Sequence, residues 1–101
     1  MQNPLPTIYF VQTDPPDGPV KIGYTGRRVQ TRLAEGQTFA QDEILLLVET
    51  PGNLSDEARL HRIFKDYHHR GEWYRYELPV RELVGYLSEG GSLRSWFDAN
   101  G

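Results

Sequence analysis

The basic residues of this chain are concentrated in one stretch, although the chain as a whole is acidic. Its formal net charge is -3, yet four basic residues and no acidic one lie between positions 21 and 32. They are Lys21, Arg27, Arg28 and Arg32. A guanidinium group offers a planar fork of donors that matches a phosphate, and a lysine ammonium adds a point charge. The stretch therefore indicates a site for a phosphate-bearing ligand, with solvated surface residues as the alternative interpretation.

A carboxylate and an imidazole occur together further along the chain. Glu57 and His61 are four residues apart in a segment with helical periodicity, so the two side chains share one helix face. His61 suits either a proton carrier or a substrate contact, and packing against the helix is the plain alternative. Glu57 by itself is explained as a favourable acid in a first helical turn.

Composition excludes several classes of chemistry. The 101 residues include no cysteine, which excludes disulfides, thiolate zinc sites and cysteine nucleophiles. The longest apolar run, 44–48, is far shorter than the roughly 18 residues that span a bilayer. No export signal is recognisable at the N-terminus, so a cytoplasmic protein is expected. The length is that of one domain, predicted over residues 1–101 with its core at 7–87.

Three segments have the residue pattern of β-strands. Thr7–Gln12 and Val20–Tyr24 are rich in β-branched and aromatic residues, and the turn-forming residues between them predict a hairpin. Ile44–Thr50 is a nearly continuous apolar run that Pro51 ends, which predicts a third strand buried on both faces.

Helical patterns alternate with these strands. The predicted helices are Arg27–Glu35, a second with Ser55 as its N-cap that continues to Tyr67, and a third from Pro79 to Gly90. Residues 73–78 allow a short strand, and residues 92–97 one more helical turn before a frayed end. This order predicts an α+β fold in which a small three-stranded antiparallel or mixed sheet is flanked by helices.

Four motifs in this order resemble those of the GIY-YIG nuclease family. They are Thr7-Ile8-Tyr9 on the first strand, Lys21-Ile22-Gly23 on the second, Arg32-Leu33 on the following helix, and Glu57 in D-E-A-R-L-H-R-I-F. The stretches V-K-I-G-Y-T and R-G-E-W-Y are similar to a short subfamily found in phages and bacteria. Two departures from the family pattern stand out: Thr7 replaces a glycine, and Lys21 replaces the second tyrosine.

The resemblance implies a role for each matched residue. Tyr9 and Lys21 would prepare the attacking water, since a nearby ammonium favours the phenolate and also binds phosphate. Arg32 and His61 would hold the phosphate, and Glu57 would bind Mg²⁺ or Mn²⁺. Further candidates for substrate binding are Tyr24, Arg27, Arg28 and Glu72.

These observations predict a metal-dependent endonuclease that hydrolyses phosphodiester bonds of single-stranded or duplex DNA. The enzyme is expected to be a monomer or weak homodimer and to have no membrane partner. The alternative is a catalytically silent module that binds nucleic acid or protein on the same fold. The acidic net charge and the lysine at position 21 favour that alternative, whereas the joint presence of Tyr9, Arg32 and Glu57 favours the enzyme. Trp73 and Tyr74 suit base stacking, although a core anchor is the favoured interpretation of Trp73.

Overall fold

The computed structural model describes residues 5–13, 16–29 and 44–100, and in these residues five strands form one antiparallel sheet. The strands are β1 (Thr7–Gln12), β2 (Val20–Thr25), β3 (Leu45–Pro51), β4 (His68–Arg70) and β5 (Trp73–Tyr74). Their order across the sheet is β3-β1-β2-β5-β4. The helices are α1 (Leu54–Ile63), α2 (Leu78–Ser88) and α3 (Leu93–Asn100), with a 3₁₀ turn at Lys65–Tyr67. The predicted α+β class is confirmed.

The predicted β1–β2 hairpin is present and is closed by a buried side chain. Phe10 pairs with Ile22 at the middle of the ladder. Gln12, at the end of β1, donates from Nε2 to the carbonyl oxygens of Pro16 (3.2 Å) and Gly18 (2.8 Å). A buried amide needs such partners, because an unpaired polar group costs roughly 1–3 kcal/mol. The loop is thus held against the end of the strand that it leaves.

The sheet has a large apolar face and a small one. The large face carries alternate residues of β1 and β2, and the apolar sides of all three helices pack on it; its members include Ile8, Phe10, Val20, Ile22, Leu60, Phe64, Val80, Leu83 and Trp96. Each fully buried side chain of this kind contributes about 1.5–3 kcal/mol. The opposite face carries a smaller cluster of Tyr9, Val11 and Val29. This division decides which side chains of β1 and β2 face α1.

The sheet is larger than the three strands predicted. The additional strands β4 and β5 span three and two residues, and the H-H-R sequence of β4 is exposed throughout. Such a segment has no alternation of apolar and polar residues, so its pattern does not predict a strand. Gly71 turns the chain between the two strands with a φ of 56°, a conformation that suits glycine. The strand allowed at residues 73–78 ends at Tyr74.

The prediction that the third strand is buried on both faces is wrong. β3 lies at one end of the strand order, next to β1, and Leu45 and Glu49 are exposed. The run of apolar residues arises because its members pack partly on each of the two clusters: Leu47 and Val48 touch the large one and Leu46 the small one. A continuous apolar run therefore does not require complete burial.

Three helix ends differ from the prediction. The N-cap of α1 is Asn53 and not Ser55: Asn53 Oδ1 accepts from the Asp56 amide and Asp56 Oδ2 from the Asn53 amide, both at 2.9 Å. This reciprocal pairing satisfies two donors and outcompetes a serine two residues later. α1 ends at Ile63, and α3 continues to Asn100 where fraying was expected.

The helix predicted over Arg27–Glu35 lies, from residue 30 onward, outside the described residues. Arg27 and Arg28 are exposed and non-helical. None of the helices described here is long and apolar enough to cross a membrane.

Candidate active site

The edge of β2 is where α1 meets the sheet. β2 pairs with β5 only at Val20 and Lys21, and beyond them the Ile22 amide donates to the Glu72 carbonyl oxygen at 3.1 Å. The Ile22 carbonyl oxygen instead lies 3.1 Å from Nε2 of His61. A helix side chain thus takes the place of a strand partner, and it ties α1 to β2 where β5 ends.

This contact decides which nitrogen of His61 carries a proton. A carbonyl oxygen can only accept, so Nε2 is the donor and the neutral ring has its lone pair on Nδ1. His61 also stacks on Tyr74, with ring centroids 5.4 Å apart and planes inclined by 28°. The imidazole is held at one nitrogen and one face, leaving Nδ1 as the proton acceptor.

Glu57 lies one helical turn before His61, near a second carboxylate. The pKa of Glu57 is raised, first by burial and then by the charge of Glu72, while His61 and Lys21 oppose the rise. Four predicted site residues from three parts of the chain are therefore within electrostatic reach of one another. We call Lys21, Glu57, His61 and Glu72 the edge cluster.

The cations and anions of the edge cluster are only loosely paired. Lys21 Nζ lies 3.8 Å from Glu72 Oε2, and about half of the Glu72 side chain is exposed. Exposed pairs of this length contribute about 0–1 kcal/mol. Either side chain can therefore exchange its partner for a ligand at small cost.

Tyr74 is a member of this region that the sequence analysis did not include among the site residues. It pairs with Val20, is buried, and has His61 against one side and His68 edge-on at 5.5 Å. Burial, followed by the charges of Glu72 and Glu57, raises the pKa of Tyr74 above 10.0. Its hydroxyl stays protonated at neutral pH and is a donor. Tyr74, and not the partly exposed Trp73, is the deeper core anchor.

The position of Tyr74 was detectable in part from the sequence. It follows Glu72 by two residues in R-G-E-W-Y, and adjacent strand residues point to opposite faces. One of Trp73 and Tyr74 must therefore face the helices. Without the register of β5 against β2, the sequence does not say which.

Tyr9 and Tyr24 lie on different faces of the sheet. Tyr9 is buried in the small cluster, on the face to which Lys21 also belongs through its pairing with Val11. Tyr24 is half-buried on the large face, where α1 packs. The register of β1 against β2 places Lys21 and Tyr9 on the same face of the sheet. Their catalytic roles stay predictions.

Two of the three predicted arginines lie in the described residues and the third does not. Arg27 and Arg28 follow the end of β2, and the Arg27 amide donates to Thr25 Oγ1 at 3.0 Å. Arg32 lies outside the described residues, so its role also stays a prediction. Among residues 5–13, 16–29 and 44–100, no group of three or more His, Asp or Glu side chains is arranged to hold a metal.

A comparison with known protein families identifies the family to which these residues belong. Residues 7–89 match the T5orf172 domain, which covers β1 to the end of α2. The chain belongs to the T5orf172 domain family. Its assignment to the GIY-YIG family from four short motifs is therefore wrong, because the family that matches over most of the chain is a different one. Tripeptides on two strands are short enough to recur between families, whereas this match extends over the whole region.

The T5orf172 domain is associated with nuclease and DNA-binding functions, which gives this chain a general nucleic-acid-related role. Comparison with curated proteins and with solved structures gave no match. The edge cluster and the basic residues after β2 both lie within the matched region.

Proposed function

We propose that this T5orf172 domain is an endonuclease that hydrolyses DNA phosphodiester bonds with a divalent metal. The observation that carries the proposal is the convergence of Lys21, Glu57, His61 and Glu72 at the edge of β2. Phosphodiester hydrolysis needs a proton acceptor for water, a cation for the phosphate and stabilisation of the leaving oxygen. The edge cluster offers a group for each requirement.

The two carboxylates suit magnesium or manganese better than a metal ion whose ligands all come from the protein. Glu57 and Glu72 supply carboxylate oxygens close enough for the charge of Glu72 to raise the pKa of Glu57. Magnesium is commonly held by one or two carboxylates, with substrate phosphates and waters completing its coordination. Glu57 would hold the ion with Glu72 beside it. When bound, the ion supplies charge neutralisation at the phosphate and at the leaving oxygen.

The chain's own residues supply the remaining steps. His61, with Nε2 committed to the Ile22 carbonyl, takes the proton of the attacking water at Nδ1. Lys21 contacts a non-bridging phosphate oxygen after leaving Glu72. Tyr74 donates from its hydroxyl toward the same region. Tyr9, with 2% of its surface exposed, acts as a positioning residue through the β2 backbone that it supports.

The test is cleavage of labelled single-stranded and duplex DNA with Mg²⁺ or Mn²⁺, with an EDTA control. Glu57→Gln is expected to lower the rate by roughly 100- to 1000-fold, the usual effect of removing one charge-stabilising contact. Glu82→Gln, an exposed acid on α2, is the matched control and should cut normally. Cutting that Glu57→Gln leaves intact would refute the proposed role of the edge cluster.

The second candidate is a binding module without catalysis. The Lys21–Glu72 pair favours it, because the ammonium neutralises a carboxylate that would otherwise assist a cation. The cleavage assay, together with measurements of DNA and metal binding, decides between the two candidates. DNA binding without cleavage in either metal, and without Glu57-dependent metal affinity, would establish the module.

A further inference from the structure

A cleft of about 570 Å³ opens beyond the Val20–Tyr74 pair, where the chain enters β2 and leaves β5. Its lining includes Asp17, Arg75, Tyr76, Glu77 and Arg81. Arg75 follows Glu72 by three residues, which corresponds to roughly 10 Å along an extended chain. The cleft is therefore beside the edge cluster and is not used by the chemistry proposed there.

Arg81 lies over the ring of Tyr76 in this cleft, and together they form what we call the Arg81–Tyr76 surface. The Arg81 guanidinium carbon lies 4.5 Å from the centre of the Tyr76 ring. Its Nε donates to the Tyr76 carbonyl oxygen at 2.8 Å, and its Nη2 to Asp17 Oδ1 at 2.7 Å. A guanidinium held at three points keeps one orientation, so little side-chain entropy is lost when a ligand stacks there.

The charges of the cleft distinguish between two kinds of ligand. Arg81 is paired with Asp17, and Arg75 Nε lies 3.3 Å from Glu77 Oε2, so the two cations face two carboxylates. A phosphate would have to displace or approach those carboxylates. A nucleobase is uncharged and flat, and its edge carries both donors and acceptors, so arginine and carboxylate groups can both bind it.

We propose that this cleft binds an unpaired nucleobase of the DNA strand whose phosphate lies at the edge cluster. The inference rests on the proposed nuclease function and specifies its substrate class as DNA with an unpaired nucleotide next to the cut. The base stacks on the Arg81–Tyr76 surface, and the carboxylates of Asp17 and Glu77 accept from its amino group. A base inside an intact duplex has neither of its faces available for this contact.

The test measures binding by fluorescence anisotropy in EDTA, so that no cleavage occurs. The probes are a labelled single strand, the blunt duplex of the same sequence, and an oligomer of abasic units that keeps only the sugar-phosphate backbone. The wild-type protein should bind the single strand more tightly than the duplex. Tyr76→Leu should weaken binding of the single strand by roughly tenfold, the usual effect of losing one stacked base. It should leave binding of the abasic oligomer unchanged.

Two further variants keep the test decisive. Arg81→Gln removes the other half of the stacking surface from an exposed position, and it should reproduce the loss even if Tyr76→Leu fails to fold. Tyr86→Leu, on the exposed surface of α2, is the matched control and should bind like wild type. Folding of each variant is checked by circular dichroism.

The possible failures are distinct. Single-strand binding unaffected by Tyr76→Leu and Arg81→Gln would overturn the base-binding cleft, as would equal losses on the abasic oligomer. If wild type cuts DNA while both variants bind and cut normally, the cleft alone is refuted. If the variants lose base-dependent binding while wild type cuts nothing, the cleft stands and the nuclease proposal fails.

Discussion

Tyr9 lies with its ring directly against the Cα of Gly23, its partner across the β1–β2 ladder. A Cβ built on Gly23 would lie 2.5 Å from Tyr9 Cζ and 2.6 Å from its hydroxyl oxygen. Both residues are buried, so the ring has little room to move. The glycine is required here by close approach of a side chain and not by an unusual backbone conformation, since its φ is not positive.

Gly23→Ala is expected to destabilise the protein by roughly 1–3 kcal/mol, the usual cost of overpacking a core. Urea denaturation measures the change. In a Tyr9→Leu background the same substitution should cost much less, because the ring that it meets is gone. Gly26→Ala, whose Cβ would meet only the Tyr24 hydroxyl at 3.6 Å, is the control. An equal penalty in both backgrounds would show that the ring is not responsible.

Glu57→Gln is expected to raise the melting temperature at neutral pH. The pKa of Glu57 is raised in the folded state, so between the ordinary pKa of 4.5 and the higher folded pKa the folded chain binds more protons than the unfolded one. The free energy of unfolding therefore falls as the pH rises through the window between the two pKa values, and it stays lower above that window. Glutamine removes this cost.

A partly exposed charge of this kind is worth about 0–1 kcal/mol, which corresponds to a rise of no more than roughly 4–8 °C. The melting temperatures of wild type and Glu57→Gln should therefore differ at neutral pH and converge below pH 4.5. Glu82→Gln should show no such dependence. A melting temperature of Glu57→Gln below that of wild type at neutral pH would contradict the cost assigned to the ionised Glu57 carboxylate.

Replacing His61 separates its structural contact from its chemistry. His61→Ala leaves the Ile22 carbonyl without its side-chain donor and is expected to cost about 0.5–1.5 kcal/mol. His61→Gln keeps an N–H near that carbonyl and should recover most of the stability. Both variants lack the Nδ1 acceptor, so both should lose at least roughly 100-fold in cleavage rate. Normal cleavage by His61→Gln would remove His61 from proton transfer.

Asn53→Ala is expected to destabilise α1 by about 1 kcal/mol, because it removes one half of the reciprocal cap. Ser55→Ala, two residues later, should change stability by less than about 0.5 kcal/mol. Chemical denaturation of the two variants side by side measures the difference. The reverse ranking would restore Ser55 as the cap. Since Glu57 lies in the same first turn, the cap also helps to hold the edge cluster in place.

The sequence by itself determined the α+β class, the β1–β2 hairpin and the positions of α1 and α2. It did so because the hairpin strands are rich in β-branched and aromatic residues, and the helices are long enough to show a period of about 3.6 residues. Helical spacing also placed Glu57 and His61 on one helix face. Short motifs on these elements indicated a nuclease-related protein, but they led to the wrong family.

Only the tertiary structure decided which residues lie together at the edge of β2. β4 and β5 are too short to have a period, and their positions depend on the turn at Gly71 and on pairing with a distant strand. That pairing brings Glu72 to Lys21. It ends next to Ile22, whose carbonyl oxygen is bound by His61, 39 residues away in the chain. Contacts between residues so far apart depend on how elements pack, which local propensity and spacing do not specify.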